Sequence, residues 1–295
     1  MRVYVPPRRL ILSGGGVRVV SYLGVLQVLK KQDLLKFIKE FCGVSAGALV
    51  SLLLALDYRF DTLERFCMEY NFANIRSDEP ETALEFLENY GIDDGSNLKK
   101  LIEKILHHKG FGPTTTFKDL AASGRVKSLR VWAADIQHIK PVEFSFTKTP
   151  NASVVFALRA SMCIPVYFMP LKNPETDTYL VDGGVMDNYP IQYLTEAEAQ
   201  ESLGITFEYS RRPIPIHDLL SYIGLLSSGY YMPSYQELVK KHASRTIVIP
   251  CAEQSPVDFE LSTEKRQQLV AYGRQAAVDF FKGYALNLIR RHSVS

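Results

Sequence analysis

Ser45 lies in Gly43-Val44-Ser45-Ala46-Gly47, a G-x-S-x-G sequence. A short apolar run precedes it and a longer one follows, so the segment reads as strand, tight turn and helix. A nucleophilic serine needs that context. The turn holds the residue in a strained conformation, and side chains at positions 43 and 47 would crowd it. The hydroxyl then sits at a helix N-terminus, whose free N–H groups and dipole favour developing negative charge. The bare pentapeptide would also suit a serine that only caps the helix. The strand–turn–helix context favours the nucleophile.

Two further clusters could work with it. Ser13-Gly14-Gly15-Gly16-Val17-Arg18 places three glycines at a strand-to-helix junction. Backbone N–H groups left uncovered there can bind an oxyanion or a phosphate. A P-loop is excluded, because no Lys-Ser or Lys-Thr pair follows. A dinucleotide fingerprint fits Gly14 and Gly16 but fails at Val19, although Asp33 lies where its ribose-binding acid would be. The third cluster is Asp182-Gly183-Gly184, followed by Asp187-Asn188-Tyr189-Pro190. An aspartate at a strand end can serve as a base for a serine on a loop. An Asp-Gly pair also makes ordinary turn hydrogen bonds.

The elements that must position these groups follow from the apolar pattern. Arg9 to Ser13 reads as a buried strand, Val17 to Lys31 as a helix, Ile38 to Val44 as a strand and Ala46 to Leu56 as an apolar helix. This order favours a parallel sheet with helices on its faces. Farther on, Ser77 to Asp94 is acidic and reads as a surface helix and loop. Ser96 is the expected N-cap of a helix over Asn97 to His108. Leu129 to Ile136 and Val142 to Thr147 read as strands joined around Pro141. Ala152 to Ser161 is helical. Tyr179 to Asp182, Ile205 to Glu208 and Thr246 to Pro250 are strands. A last helix runs from Ser262 or Thr263 to about Arg290. No repeat or linker divides the chain, so residues 1–295 are expected to form one domain.

Taken together, the motifs resemble the patatin-like phospholipase family. The resemblance rests on Gly14 to Arg18, Gly43 to Gly47 and Asp182 to Gly184, in family order. Leu158-Arg159-Ala160-Ser161-Met162-Cys163-Ile164-Pro165 is similar to the family's segment before the aspartate, with Cys163 where alanine is usual. Ala133-Ala134-Asp135 resembles its mid-chain strand, and Asn188 and Pro190 its N-x-P ending. The resemblance implies an α/β fold, a three-layer α/β/α sandwich with a mostly parallel central sheet. It implies Ser45 as nucleophile, Asp182 as general base and Gly14, Gly15 and Gly16 as the oxyanion loop. Gly43 and Gly47 would make the elbow. Arg18 would orient the loop or meet a lipid phosphate. The substrate would be a phospholipid or other glycerolipid ester, cleaved without metal or cofactor.

The composition agrees with a globular enzyme. The chain has 295 residues, 46% apolar and 22% charged, with a formal net charge of +2. Such a balance excludes a disordered chain and gives no reason to expect nucleic acid as partner. The apolar run Phe41 to Leu56 is too short to span a bilayer, and no signal-peptide segment follows the basic N-terminus. The four cysteines show no metal-ligand spacing. A cytoplasmic protein visiting the membrane surface is therefore expected. Leu219 to Tyr235 has two readings: a membrane contact through Tyr222, Tyr230, Tyr231 and Tyr235, helped by Arg211 and Arg212, or a core helix followed by a turn at Pro233, which is the more ordinary one. A protein activator is left open. Two rivals remain at this point. One is an α/β-hydrolase triad using His217, His242 or His292. The other is a silent module that only binds lipid.

Overall fold

The computed structural model describes residues 6–77, 88–209, 216, 222, 225, 234–251 and 253–292, with side chains to residue 282. In chain order the elements are β1 (Arg9–Leu12), α1 (Tyr22–Lys31), β2 (Glu40–Val44), α2 (Ala46–Ala55), α3 (Phe60–Glu69), β3 (Gly91–Asp93), α4 (Ser96–His107), α5 (Phe117–Ala122), β4 (Ser128–Asp135) and β5 (Lys140–Ser145). They continue with α6 (Val154–Ser161), β6 (Val166–Phe168), β7 (Leu171–Lys172), β8 (Tyr179–Asp182), α7 (Glu196–Gln200), β9 (Ser202–Phe207), α8 (234–241), β10 (Thr246–Ile249) and α9 (Thr263–His292).

The main sheet has the order β10-β9-β1-β2-β4-β8-β7, with β5 also paired to β4. β10, β9, β1, β2 and β4 are parallel. β5 and β8 run antiparallel to β4, so the sheet is mixed and mostly parallel. Alternate side chains enter opposite faces, as the strand period of two requires. Leu10, Leu12, Phe41, Val131 and Ala133 join the larger core, under α1, α2, α6 and α9. Ile11, Cys42, Val44 and Trp132 join a smaller core with Tyr189, Ile191, Leu194 and Tyr235. Helices α7 and α8 cover that second face, which completes the α/β/α layering. Among the described residues, no helix is long and apolar enough to cross a membrane.

Several boundaries differ from the sequence expectation, each for a local reason. Gly16–Ser21 is a 3-10 turn, and the α-helix begins only at Tyr22. The N-cap of α4 is Gly95 in the left-handed region, not Ser96. Asp93 and Asp94 accept the Gly95 and Ser96 N–H groups at 2.6 and 2.8 Å, so the preceding acids do the capping. Pro141 lies inside β5, opposite Ala134, rather than in the turn. It is tolerated there because β5 is recorded with β4 as its only partner. α6 begins at Val154, with the Ser153 hydroxyl accepting from Phe156 N–H. β9 starts three residues early, at Ser202. Most of the expected helix after Ser77 lies outside the described residues, but its end contains β3, which pairs with β6.

Candidate active site

The register of the sheet brings Ser45 and Asp182 together. β2 runs parallel to β4, and its last residue, Val44, stands opposite Trp132. β8 runs the other way on the same side of β4, and its last residue, Asp182, stands opposite Ala133. The two strands therefore end head to head on consecutive residues of β4. Ser45 is the next residue after β2, and its Oγ donates to Asp182 Oδ2 at 2.5 Å across 137 residues of sequence. Ser45 has φ 53° and ψ −133°. A non-glycine residue at that φ is strained, and such strain concentrates at functional turns. The elbow closes because Gly47 lies against the carbonyls of Leu12 and Ser13, and Gly43 lies under Gly47.

Asp182 is 6% exposed. Burial pushes its carboxyl up to about 7, against the downward pull of the Ser45 hydroxyl and the Gly184 N–H. The latter donates to Oδ1 at 2.8 Å. Oδ2 is thus committed to the serine and Oδ1 to the backbone, which fixes the ring of contacts around the acid. Its own N–H donates to the Cys163 carbonyl at 2.7 Å. A carboxyl near 7 can accept a proton at neutral pH far better than one near 4.

The glycine loop adjoins Ser45. A side chain on Gly14 would overlap Asn188 Oδ1 and stand 3.0 Å from Ser45 Cβ. The Gly14 N–H is already committed, donating to the Asn188 carbonyl at 3.1 Å. Gly14 therefore serves the loop by its close approach to Ser45 and not as a free donor. The N–H groups of Gly15 and Gly16 have no recorded acceptor among the described residues. Gly16 has φ +53°, a conformation that favours glycine. The N–H of Ala46, first in α2, has no intrahelical acceptor. Three donors thus remain near the serine.

Three residues hold this frame that the motif reading either passed over or left without a role. Ser161 is fully buried. Its Oγ accepts the Ser45 N–H at 2.9 Å and donates to the Trp132 carbonyl at 2.6 Å, tying the elbow to β4. Asn188 Nδ2 donates to the Gly14 carbonyl at 2.9 Å, so loop and aspartate segment are bonded twice. Phe207, at the end of β9, floors Gly15. It stacks on Tyr22 at 5.2 Å, and the Arg18 guanidinium lies over it at 4.9 Å. Arg18 Nε donates to the Gly15 carbonyl at 3.3 Å. Arg18 is 9% exposed and faces the loop.

Other expectations fare differently. Tyr235 follows the core reading of its stretch and not the membrane one: it is buried, with its hydroxyl donating to the Phe207 carbonyl at 2.8 Å. Tyr222 is exposed. Tyr230, Tyr231, Arg211, Arg212 and His217 lie outside the described residues, as does the His292 side chain. His242 lies at the end of α8, where its carbonyl accepts from Thr246 Oγ1. Asp33, the acid of the dinucleotide alternative, pairs with Lys36 on an exposed turn.

Fold and site define the class: a mixed, mostly parallel α/β sheet whose serine elbow is hydrogen-bonded to a buried aspartate. Residues 10–195 match the family described as Patatin-like phospholipase. The chain belongs to the patatin-like phospholipase family and is a patatin-like lipid hydrolase. It is 26% identical to the uncharacterized protein R571 of Acanthamoeba polyphaga mimivirus, over 90% of this chain and 91% of that protein. It is 30% identical to the probable lipid hydrolase 463L of Invertebrate iridescent virus 6, over 62% of each. Among solved structures, VipD from Legionella pneumophila is similar in fold at a TM-score of 0.62 and 18% identity. That match covers 95% of this chain and 67% of VipD.

Proposed function

We propose that the protein hydrolyses carboxylic ester bonds of glycerophospholipids through a Ser45–Asp182 dyad and an acyl-enzyme. The observation that carries this reading is the 2.5 Å hydrogen bond from Ser45 Oγ to the buried Asp182 carboxyl. In the first step Ser45 Oγ attacks the ester carbonyl and its proton passes to Asp182. The carbonyl π-pair moves to oxygen, which the N–H groups of Gly15, Gly16 and Ala46 receive. Collapse of the tetrahedral intermediate expels the glyceryl oxygen, which takes the proton from Asp182. Water then attacks the acyl-enzyme and gives a proton to Asp182; collapse of the second tetrahedral intermediate releases the fatty acid and expels Ser45 Oγ, which takes that proton back from Asp182. Loss of one oxyanion donor is expected to slow the reaction roughly 100-fold or more.

The test is hydrolysis of mixed glycerolipids followed by mass spectrometry, comparing wild type with Ser45→Ala and Asp182→Asn. Fatty acid release by wild type and its loss in both variants is expected. Full activity in Asp182→Asn would sink the dyad. Loss of all activity on replacing His217, His242 or His292 singly would point to an imidazole base instead.

A further inference from the structure

β2 and β8 end head to head partway along β4, and the β4–β5 hairpin continues past that point in the direction in which β2 runs. From Trp132, opposite Val44, the chain runs four residues to Ile136, one past the end of β4, which is about 13 Å at the usual strand rise. The tip is Ile136-Gln137-His138-Ile139, with an isoleucine on each side of its polar centre. Ile136 is 43% exposed and Ile139 is 71% exposed. Ile139 also has φ +52°. A β-branched residue in that region is strained, and glycine, asparagine or aspartate would make the same turn more easily. Among the described residues Ile139 joins neither hydrophobic core.

A second residue repeats the pattern beside it. Tyr90 has φ +58° and is 60% exposed. Its ring meets Tyr179 edge to face at 5.9 Å. Tyr179, at the start of β8, is level with the hairpin tip, its carbonyl accepting from Ile136 N–H and its N–H donating to Gln137 Oε1. Two isoleucines and two tyrosines thus lie side by side at this end of the sheet. Isoleucine suits the acyl region of a bilayer, and tyrosine suits the headgroup level. Charged groups here are mixed in sign: Lys140 and Glu175 are exposed, Lys172 is paired with Asp177, and the His138 ring within the tip is bonded to the Asp135 carboxylate at 2.8 Å.

We propose that this hairpin tip, with the Tyr90–Tyr179 pair beside it, docks the protein on a zwitterionic phospholipid surface. The proposal rests on the lipid-ester reading above and names the surface by which that substrate is reached. An interfacial element sinks about 5–10 Å into the bilayer boundary. With the tip about 13 Å beyond the serine's level, such insertion leaves only a short lift of the lipid into the site.

The test uses the full chain and an Ile136→Ser, Ile139→Asn double variant. Co-sedimentation with phosphatidylcholine vesicles is measured at low and high salt. Hydrolysis is measured on the same vesicles and on dissolved p-nitrophenyl butyrate. Loss of two inserted isoleucines is expected to cut vesicle partitioning at least about tenfold, with vesicle hydrolysis falling alongside. Turnover of the dissolved ester is expected to be unchanged, and salt to have little effect. Ile139→Asn alone should not lower Tm, because it relieves the left-handed strain. Unchanged partitioning of the double variant overturns the proposal, as does a wild type that never sediments, which would leave the tip to a protein partner. Isoleucine-dependent partitioning by a chain that cleaves neither ester would uphold docking and refute the hydrolase reading.

Discussion

Asp182→Asn should change stability and rate through one carboxyl. In the folded protein burial raises that carboxyl from its ordinary 3.8 to about 7. The shift of about three units is worth about 4 kcal/mol. Between pH 4 and 7 the unfolded chain has lost the proton that the folded protein still holds. The stabilisation is therefore complete below about pH 4 and fades as pH rises through about 7. Asparagine is neutral throughout. Relative to the variant, the wild type should lose about 1.4 kcal/mol per pH unit between pH 4 and 7 and nothing more above about pH 8. Asp187 is also buried and raised to about 7, but it is present in both proteins and cancels in the difference. Urea unfolding of both proteins from pH 5 to 8.5 should show their stability difference changing by about 3 kcal/mol. Over the same range kcat/KM of the wild type should rise with an apparent pKa near 7, since the free enzyme needs the ionised acid. Parallel stability curves would mean that burial does not hold this carboxyl neutral. The argument for a carboxylate base working near neutrality would then fail.

The remaining predictions concern the frame. Ser161→Ala removes the acceptor of the Ser45 N–H, and should lower kcat about tenfold to a hundredfold with KM little changed; steady-state kinetics on a dissolved ester reads this. Gly14→Ala forces Asn188 away from the loop and crowds Ser45, so activity should be lost while near-UV circular dichroism shows a folded core. Arg18→Lys loses the guanidinium stack on Phe207 and the bond to the Gly15 carbonyl. It should slow cleavage of phospholipid and of a neutral ester equally. A selective rise of KM for the phospholipid would instead assign Arg18 to phosphate.

What could be read in the sequence was local. The elbow around Ser45 announces itself because a strand, a turn and a helix adjoin in sequence, and the apolar run Phe41 to Leu56 ends where the helix does. The α4 cap was misplaced because two successive aspartates, followed by glycine, supply the acceptors that a serine usually supplies. Phe207 and Ser161 were illegible as supports for a different reason. Their partners, Gly15 and Ser45, lie 192 and 116 residues away, and no spacing rule links them. Tyr235 admitted an interfacial reading because it ends a tyrosine-rich stretch. In the fold its hydroxyl answers the Phe207 carbonyl, and burial follows from that bond.

The meeting of Ser45 and Asp182 has a cause in strand direction. A parallel strand beside β4 would have pointed its C-terminal residue the same way as β2, leaving the acid alongside the elbow rather than facing it. Because β8 is antiparallel, its chain end approaches the end of β2 along the same edge of β4. Facing ends place the acid below the serine, between Ala133 and the Cys163 carbonyl, where water is excluded. The exclusion raises the carboxyl, and in the proposed dyad that raised carboxyl takes the part an imidazole would otherwise play. A single reversal of strand direction therefore supplies both the contact and the basicity. It follows that the β4–β8 pair should resist opening. Hydrogen exchange at Asp182 N–H should be as slow as in β2, and slower than in the β5 edge.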